Sequence, residues 1–473
     1  MKPKFYLLTF ILFAGFLFSQ ADGYAQTKTA KYVFYFIGDG MGVNQVNGTE
    51  MYLAEKEGRI GVKPLTFAQF PYSTIATTYS VYNSVTCSAA AGTALATGVK
   101  TKNGTIGMDS LRKSPLYSIA VKAKKAGKKV GITTSVSIDH ATPATFYAHQ
   151  PDRNMYYEIA TDLPKAGFDF YAGSGFLEPN SKTNKNAPNI YTLFKEANYT
   201  VAKGYEDFKA KKNKASKMIL MQQDNTDAHS IPYAIDRKPG DLTLSQITES
   251  AISFLTKDNK NGFFVMIEGG KIDWACHSND AATVFNEVID MDNAVKIAYE
   301  FYKKHPNETL IVITADHETG GIALGNGKYA LNLKALEYQK VSETELSERI
   351  KQLRKDKQND ITWNDIKNLL SENLGLWSKV KLNDKQEQLL KEEYIRSFLG
   401  KDVKLAESLY SKDEPMAALA KQILNEIAMV SWASGGHSAG YIPVFAIGAG
   451  AELFHGKIEN TDIPKKIAQA AKY

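Results

Sequence analysis

Several apolar, β-rich segments constrain the fold of this chain most, and glycine or acidic residues follow most of them. They are residues 32–37, 130–134, 263–267, 310–314 and 442–447. Continuous apolar runs of this length are typical of strands that are buried on both faces of a sheet. Helical patterns lie between them, for example at residues 115–126, 243–256 and 280–303. The alternation predicts an α/β fold with a central, mostly parallel β-sheet flanked by helices on both faces.

The N-terminal segment has the pattern of a secretory signal peptide. Residues 1–4 are basic, residues 5–18 are apolar, and residues 19–26 are small or polar, with Gly23 and Ala25 at positions suited to a signal peptidase. The apolar run is shorter than the roughly 20 residues that a membrane span needs. We therefore expect residues 1–25 to be removed, no stable membrane anchor, and a periplasmic or secreted protein.

Charge and cysteine content exclude other classes. The net charge of +6 is mild for 473 residues, and no basic stripe with interleaved aromatics is visible. Nucleic acid is therefore not expected as a specific partner. With only Cys87 and Cys276, the chain has no disulfide framework. The sequence allows one bridge between them, but two free, buried thiols are the favoured interpretation.

Two regions have the character of insertions. Residues 163–235 mix glycine, asparagine, lysine and aromatic residues without a clear period. Residues 325–430 are polar, rich in lysine and glutamate and mostly helical in pattern, with Leu346, Ile350 and Leu353 on one amphipathic face. The second region is predicted to form a helical cap beside the sheet.

Acidic residues follow the predicted strands, where ligands of open α/β sheets collect. Asp39 follows the first strand, Glu268 a second, and Asp316 with His317 a third. Each of these residues taken alone has a structural explanation, such as a turn or a strand end. Their shared position at strand ends favours a common site.

Histidines complete a pattern of metal ligands. Asp273 and His277 are four residues apart, which places a carboxylate and an imidazole on one face of a helix. His437 lies in a glycine-rich loop before the last strand. Imidazole with carboxylate suits zinc, whereas carboxylate, hydroxyl and water suit magnesium. Two cations about 3.5–4 Å apart stabilise the attacking and leaving oxygens of a phosphoryl transfer. Structural roles are assigned to the histidines outside these motifs, which include His149, His229, His305 and His455.

Seven ordered segments resemble the alkaline phosphatase family over residues 30–460. They are F-I-G-D-G-M-G at 36–42, V-T-C-S-A-A-A-G-T-A-L-A-T-G at 85–98, D-H-A-T-P-A at 139–144, A-H-Q-P-D-R at 148–153, I-E-G-G-K-I-D-W-A-C-H at 267–277, T-A-D-H-E-T-G-G at 314–321 and G-G-H-S-A-G at 435–440. Any one of them is a weak signal, whereas seven in order are a strong one. The resemblance implies one catalytic domain over residues 26–473.

The resemblance also implies three metal ions and their ligands. The implied ligands are Asp273, His277 and His437 for one zinc, Asp39, Asp316 and His317 for a second zinc, and Asp39, Thr142 and Glu268 for one magnesium. Ser88 matches the serine nucleophile, which stands between the two zinc ions, and Thr86 beside it is assigned a structural role. Arg153 matches the arginine that binds two phosphate oxygens, a task for which its planar guanidinium is suited.

Three positions depart from the common family pattern. Cys87 stands where many bacterial members have an aspartate that orients the phosphate-binding arginine, so Arg153 is expected to be more mobile. His140 and Trp274 stand where some members have aspartate and lysine. We expect both to lie behind the metal ligands and to influence the magnesium site and water contacts of phosphate.

The expected function is that of a secreted alkaline phosphatase. It would hydrolyse small-molecule phosphate monoesters through a phosphoserine at Ser88, with two Zn²⁺ and one Mg²⁺. A phosphodiesterase or a sulfatase of the same superfamily is the alternative enzyme, although Cys87 lacks the context of a sulfatase cysteine. A non-catalytic periplasmic binder of metal or phosphate is a third alternative. Since the family is often dimeric, a homodimer is compatible with the sequence.

Overall fold

The computed structural model describes residues 28–224, 226–327, 329–400 and 403–473. The expected signal peptide, residues 1–25, lies outside the described residues. Among the described residues, no helix combines the length and the apolar character needed to cross a membrane.

Ten strands form one large sheet at the centre of the described chain, and the other strands form short pairs. In chain order the strands are β1 (Tyr32–Gly38), β2 (Tyr72–Thr77), β3 (Lys129–Thr134), β4 (Phe170–Ala172), β5 (Tyr199–Lys203), β6 (Lys217–Met221), β7 (Phe263–Gly269), β8 (Thr309–Ala315), β9 (Glu318–Thr319), β10 (Ile322–Leu324), β11 (Ala406–Glu407), β12 (Lys412–Asp413), β13 (Val430–Trp432), β14 (His437–Ser438), β15 (Ile442–Gly448) and β16 (Ile458–Glu459). The order across the large sheet is β16-β2-β15-β8-β1-β7-β3-β4-β6-β5.

The strands from β8 to β5 across this order run parallel to one another. Strand β15 is antiparallel to both of its neighbours. Every residue of β1, β7 and β8 is buried, as the continuous apolar runs in these segments indicate. The prediction of a mostly parallel sheet with central, doubly buried strands is confirmed.

Helices cover both faces of the sheet. The α-helices are α1 (Val43–Lys56), α2 (Ser88–Thr97), α3 (Ile119–Lys125), α4 (Ala141–Ala144), α5 (Tyr156–Ala166), α6 (Ile190–Glu196), α7 (Tyr205–Lys211), α8 (Leu244–Thr256), α9 (Lys271–His277), α10 (Ala281–Lys304), α11 (Glu343–Asp356), α12 (Trp363–Leu374), α13 (Asp384–Tyr394), α14 (Pro415–Ile427) and α15 (Asp462–Ala471). Alternate residues of a strand point to opposite faces. Accordingly, Phe34 of β1 packs on Phe301 of α10, whereas the hydroxyl of Tyr35 reaches the carbonyl of Leu95 in α2.

Residues 163–235, which the sequence marks as inserted, continue the main sheet. They supply β4, β5 and β6, which extend it in parallel beyond β3. These strands have only three to five residues, so they leave little periodicity in the sequence.

Residues 325–430 form a largely helical region, here called the cap, which contains α11 to α14 and the β11–β12 hairpin. Leu346 and Ile350 of the predicted amphipathic face are buried, and Leu353 is half-buried. Gln339 donates a hydrogen bond to Asp280 at 2.9 Å, at the start of α10. The cap is therefore attached beside the C-terminal end of α9.

Candidate metal centre

The register of the sheet brings the acidic residues of three strand ends together. Gly38, the last residue of β1, lies beside Gly269 of β7 and Ala315 of β8. Asp39 and Asp316 follow these aligned positions directly, and Glu268 lies one residue earlier in β7. All three carboxylates are completely buried. The sequence prediction of a common site at this edge of the sheet agrees with their placement.

These carboxylates are in an environment that disfavours their negative charges. Burial, followed by repulsion from Asp316, raises the pKa of Asp39 well above its usual value. Burial likewise raises the pKa of Asp316 to about 7 and that of Glu268 to about 8. Among the described residues, neither carboxylate oxygen of Asp39 makes a hydrogen bond, nor does Oε1 of Glu268. Buried acceptors of this kind need a compensating positive charge, so the cluster fits bound cations.

The first ligand group lies on α9 and the loop before β15. His277 Nε2 is 3.2 Å from Asp273 Oδ2 and 3.2 Å from His437 Nε2, and the latter atom is 3.7 Å from Asp273 Oδ1. Four ligands at about 2.0–2.1 Å from a tetrahedral zinc ion lie roughly 3.3 Å from one another. The spacing of these atoms therefore suits one zinc ion.

Hydrogen bonds orient both imidazoles of this group. His277 Nδ1 is 2.6 Å from the carbonyl oxygen of Gly435, and His437 Nδ1 is 2.9 Å from the carbonyl oxygen of Thr86. A carbonyl can only accept, so each Nδ1 carries a hydrogen, which leaves the Nε2 lone pair of the neutral imidazole available to a metal ion. This arrangement is the usual support of a metal-binding histidine.

The second ligand group surrounds His317. Its Nε2 atom is 3.4 Å from Asp39 Oδ1, 3.3 Å from Asp316 Oδ2 and 3.2 Å from Ser88 Oγ. Ligand atoms of Asp39, Asp316 and His317 lie within 4.8 Å of one another, close enough to bind one ion. The two groups are adjacent, because ligand atoms of Asp273 and His437 in the first group lie within 4.8 Å of a ligand atom of His317 in the second.

A third group shares Asp39 with the second group. One ligand atom each of Asp39, Glu268 and His140 lies within 4.8 Å of the others. Glu268 accepts a hydrogen bond from the hydroxyl of Thr134, while the buried hydroxyl of Thr142 has no hydrogen-bond partner in the described chain. The sequence interpretation placed His140 behind the metal ligands. In the structure its ring stands beside the carboxylates, and burial followed by the charge of Arg153 lowers its pKa to about 3, so it is neutral.

Ser88 is the first residue of α2 and is completely buried. Small residues follow it, and a Cβ atom added at Gly92 would lie 3.0 Å from Thr145 Oγ1 and 3.3 Å from Thr142 Cα. Glycine therefore allows α2 to pack closely against the segment that carries Thr142. The N–H groups of the first helical turn have no partner within the helix, and they are available to an anion near Ser88.

Arg153 is half-buried at the edge of the site, with its Nη2 atom 3.2 Å from His140 Nε2. Cys87 Sγ accepts a hydrogen bond from the backbone N–H of Gly104 at 3.1 Å. The carbonyl of the same Gly104 accepts one from the backbone N–H of Arg153 at 2.8 Å. Cys87 thus contacts the same residue that anchors the backbone of Arg153, but it offers no carboxylate to the guanidinium.

Two contributors to the site were not identified in the sequence. Thr319 donates a hydrogen bond to Asp273 Oδ1 at 2.5 Å and lies 3.2 Å from His317 Nδ1, and its position inside the T-A-D-H-E-T-G-G segment was an available signal. Tyr410 of the cap stacks on Trp274, with ring centroids 4.4 Å apart. Nothing in the polar sequence around Tyr410 marks it.

The cysteines and the histidines outside the ligand groups described above belong to no metal-binding cluster of the described residues. Cys87 and Cys276 are free, as favoured from the sequence, although Cys87 is half-buried rather than buried. The other histidines contact backbone, carboxylate or aromatic groups elsewhere: His149, His229, His305 and His455.

The sheet with its buried carboxylates and imidazoles defines a metal-dependent hydrolase of the α/β class. Comparison with known proteins identifies the family: the chain belongs to the alkaline phosphatases, since residues 30–174 and 177–473 match that family. Its members are metal-dependent phosphomonoester hydrolases, and the resemblance seen in the seven sequence segments is confirmed.

Individual relatives match over nearly the whole chain. Alkaline phosphatase 3 of Bacillus subtilis (strain 168) is 32% identical over 453 residues, which cover 94% of this chain and 89% of the relative. The crystal structure of a cold-active alkaline phosphatase from a psychrophilic Shewanella species has a TM-score of 0.76 at 26% identity, covering 93% of this chain and 99% of the other. A histidine-to-aspartate mutant of the alkaline phosphatase from the Antarctic bacterium TAB5, with Mg bound in its M3 site, has a TM-score of 0.66 at 28% identity. The match covers 95% of this chain and 99% of the other.

Proposed function

We propose that this protein is an exported alkaline phosphatase that hydrolyses phosphate monoesters to an alcohol and inorganic phosphate through a phosphoserine at Ser88. The observation that carries the proposal is the position of Ser88 Oγ, 3.2 Å from His317 Nε2 and beside buried carboxylates that lack compensating charge. A serine whose only role is to begin a helix has no need of such surroundings.

The donor atoms favour two zinc ions and one magnesium ion. The groups around His277 and His317 combine imidazoles with carboxylates at short distances, which suits zinc. Asp39, Glu268 and the hydroxyl of Thr142 offer oxygen atoms, which suit magnesium. The Mg ion in the M3 site of the TAB5 mutant supports a third metal in such a protein. With His140 beside this group, the choice of ion there is expected to depend on the residue at that position.

The reaction needs few groups from the protein once the metals are bound. The bound cations supply Lewis-acid activation, which lowers the pKa of a hydroxyl and compensates negative charge on the transferring group. Ser88 Oγ loses its proton and forms a bond to phosphorus as the bond to the ester oxygen breaks, and the leaving alcohol takes up a proton. Water then gives up a proton and attacks the phosphorus of the phosphoserine, the bond to Ser88 Oγ breaks, Ser88 regains its proton, and phosphate is released. Two such in-line displacements retain the configuration at phosphorus.

Arg153 is proposed to bind the transferred phosphoryl group. Its planar guanidinium can donate to two phosphoryl oxygens at once, and the N–H groups at the start of α2 lie on the side of Ser88. Preorganised donors of this kind stabilise the charge of the transition state without rearrangement.

Hydrolysis of an aryl phosphate by metal-loaded protein tests the proposal. We expect wild-type activity to disappear on chelation and to return when zinc and magnesium are added. Ser88→Ala is expected to be crippled and Cys87→Ala to remain active. Acid-quenched reactions should show phosphate on the peptide that contains Ser88. A dead Cys87→Ala variant, or activity that survives chelation, would show that the nucleophile or the metal mechanism is assigned wrongly.

The same assay separates the alternatives. An aryl phosphodiester or an aryl sulfate turned over faster than the monoester would indicate another reaction of the superfamily. Phosphate binding by the metal-loaded protein without turnover of any ester would indicate a binding protein.

The proposed location and assembly rest on other features. The pattern of residues 1–25 supports export to the periplasm or the medium, and N-terminal sequencing of the mature protein should begin near residue 26. Exposed apolar side chains on β2 and the loop after it, including Tyr72, Ile75 and Tyr82, support a homodimer. Analytical ultracentrifugation of the mature protein tests this assembly.

A further inference from the structure

A short pair of strands joins the first and second ligand groups of the metal centre. The rings of His317 and His437 are stacked, with centroids 3.7 Å apart and an interplanar angle of 25°. His317 directly precedes β9, and His437 is the first residue of β14. The two strands pair antiparallel, with Thr319 opposite His437 and Glu318 opposite Ser438. The pairing of β9 with β14 therefore determines how the two imidazoles lie relative to each other.

The backbone of this pair offers little support of its own. Each strand has two residues, whereas strands in proteins usually have about three to ten. Glycines at 320–321 follow β9, and glycines at 435–436 precede β14. Glycine has no side chain to pack and loses more conformational freedom on folding than any other residue. We therefore expect side chains to hold the pair together.

The carboxylate of Glu318 connects β9 to two other segments. It is buried, and its Oε1 atom accepts a hydrogen bond from Gln45 Nε2 of α1 at 2.7 Å. The backbone N–H of Gly321 donates to Oε1 at 3.0 Å and to Oε2 at 3.1 Å. Oε2 also accepts a hydrogen bond from the hydroxyl of Ser438 in β14. The oxygen of this hydroxyl in turn accepts one from the backbone N–H of Gly440 at 3.1 Å.

The surroundings of Glu318 are built for this carboxylate. Gln45 is completely buried, and its amide donates to the carbonyl of Thr319 at 2.8 Å as well as to Glu318, so both of its hydrogens have acceptors on β9. A Cβ atom at Gly42 would collide with Glu318 Cγ, and one at Gly440 would lie 3.1 Å from Glu318 Cβ. A buried polar network whose bonds are satisfied is rigid and favours one arrangement.

We propose that Glu318 is a positioning residue, which holds β9 against β14 and thereby fixes His317 and His437 in the arrangement that binds the two zinc ions. The inference rests on the proposed function of these two histidines as zinc ligands. Glu318 is not proposed as a ligand itself, because each of its carboxylate oxygens already accepts two hydrogen bonds from the protein.

Three variants separate the contacts of Glu318. Glu318→Ala removes all of them. Glu318→Gln keeps the size of the side chain, and its amide can accept from Gln45 and donate to the hydroxyl of Ser438. Ser438→Ala removes only the connection to β14, and the double variant Glu318→Ala with Ser438→Ala completes a cycle.

Asp292→Ala is the matched control. Asp292 is also a buried carboxylate that joins distant segments, since it accepts hydrogen bonds from the hydroxyl of Thr66 at 3.1 Å and from the backbone N–H of Phe67 at 3.3 Å. It lies in α10 and belongs to none of the three ligand groups. The control therefore loses the same kind of connection without a change at β9 and β14.

Zinc binding to the full mature chain tests the inference. Titration against a competing chelator gives the zinc affinity, and Co²⁺ in place of zinc reports the ligand geometry through its visible absorption spectrum. We expect Glu318→Ala and Ser438→Ala to weaken zinc binding roughly 10- to 100-fold, the usual effect of residues that orient metal ligands, and to change the Co²⁺ spectrum. Glu318→Gln should retain the zinc affinity of wild type.

The cycle and the control distinguish positioning from general stabilisation. Ser438→Ala should cause no further loss of zinc affinity in the Glu318→Ala background, because the contact is already absent. Asp292→Ala should lower the thermal midpoint but leave zinc affinity and the Co²⁺ spectrum unchanged. Wild-type zinc affinity and spectrum in Glu318→Ala would overturn the inference, and so would an equal loss of zinc affinity in Asp292→Ala. If Glu318→Ala does not fold, unchanged zinc binding by Ser438→Ala overturns it.

These outcomes are separable from failure of the proposed function. Zinc binding is measured without turnover, so a wild type that binds zinc but hydrolyses no ester contradicts the function and leaves the comparison of variants interpretable. An active wild type whose zinc affinity is the same in Glu318→Ala contradicts only the inference. If wild type binds no zinc, both are wrong.

Discussion

Replacing Gly40 with alanine is expected to destabilise the protein and to weaken metal binding together. Gly40 follows the ligand Asp39 and adopts a φ of +71°, which side-chain-bearing residues rarely adopt. A Cβ atom there would lie 2.9 Å from Asp273 Cα and 2.9 Å from Thr319 Oγ1. The backbone of Asp273 cannot rotate away as a flexible side chain does, so the strand end and α9 must separate.

The magnitude follows from two contributions. The left-handed conformation costs about 1–2 kcal/mol for a residue with a Cβ atom. Overpacking against backbone adds about 1–3 kcal/mol. The free energy of unfolding should therefore fall by about 2–5 kcal/mol. A chain of this length has an unfolding entropy of roughly 1 kcal/mol per degree, so the thermal midpoint should fall by about 2–5 °C. Zinc affinity should fall roughly 10- to 100-fold, because the added methyl group would displace both Asp39 and Asp273, which belong to the two different zinc-ligand groups.

Gly58→Ala is the control for this prediction. Gly58 has nearly the same φ, +74°, but an added Cβ atom would meet nothing within 4 Å. It should show only the conformational cost, about 1–2 kcal/mol, and unchanged zinc affinity. Thermal unfolding and zinc titration by calorimetry compare both variants with wild type. If Gly40→Ala loses no more stability than Gly58→Ala and binds zinc as wild type does, the close packing of Gly40 against Asp273 does not determine the metal site.

Arg237→Ala should lower the free energy of unfolding by about 3–5 kcal/mol, because it leaves the carboxylate of Asp290 buried without its two hydrogen bonds of 2.5 and 2.6 Å. Denaturant unfolding measures this loss, and Lys238→Ala should have little effect; equal losses would contradict the assignment. Chelated protein should be less stable at pH 9 than at pH 6. Folding raises the pKa of Glu268 to about 8 and that of Asp316 to about 7, so the folded state retains protons that the unfolded state releases. This contribution to the stability of the folded state is lost as the pH rises through these two values. Zinc and magnesium should restore stability at pH 9, and a chelated protein with equal thermal midpoints at both pH values would refute the explanation.

The strand ends were predictable because the carboxyl ends of parallel strands meet at one edge of the sheet. The burial of Asp39, Glu268 and Asp316 follows from this rule and from the continuous apolar runs before them. The spacing of Asp273 and His277 similarly predicts a shared helix face, which α9 provides. In each case the information is local in the chain.

The remaining features depend on contacts between distant segments, which no local pattern contains. Strands β4 to β6 are too short to show a periodic pattern in the sequence. They form because they pair with neighbouring strands of the sheet. The closeness of His140 to Asp39 and Glu268 requires the relative placement of α4 and two strands. Tyr410 is separated from Trp274 by 136 positions in the chain, and only the path of the cap brings the two rings together.

The cap is attached where its movement would affect the metal ligands. Lys421 and Asn425 of α14 donate hydrogen bonds to the carbonyls of Ser278 and Asn279, at 2.5 and 2.6 Å. These two residues follow α9 directly, so the helix that carries Asp273 and His277 ends against the cap. The same cap places the ring of Tyr410 against Trp274 of α9, with centroids 4.4 Å apart, so the cap contacts this helix along its side as well as at its end. A change in the cap can therefore shift α9 without a change in any metal ligand.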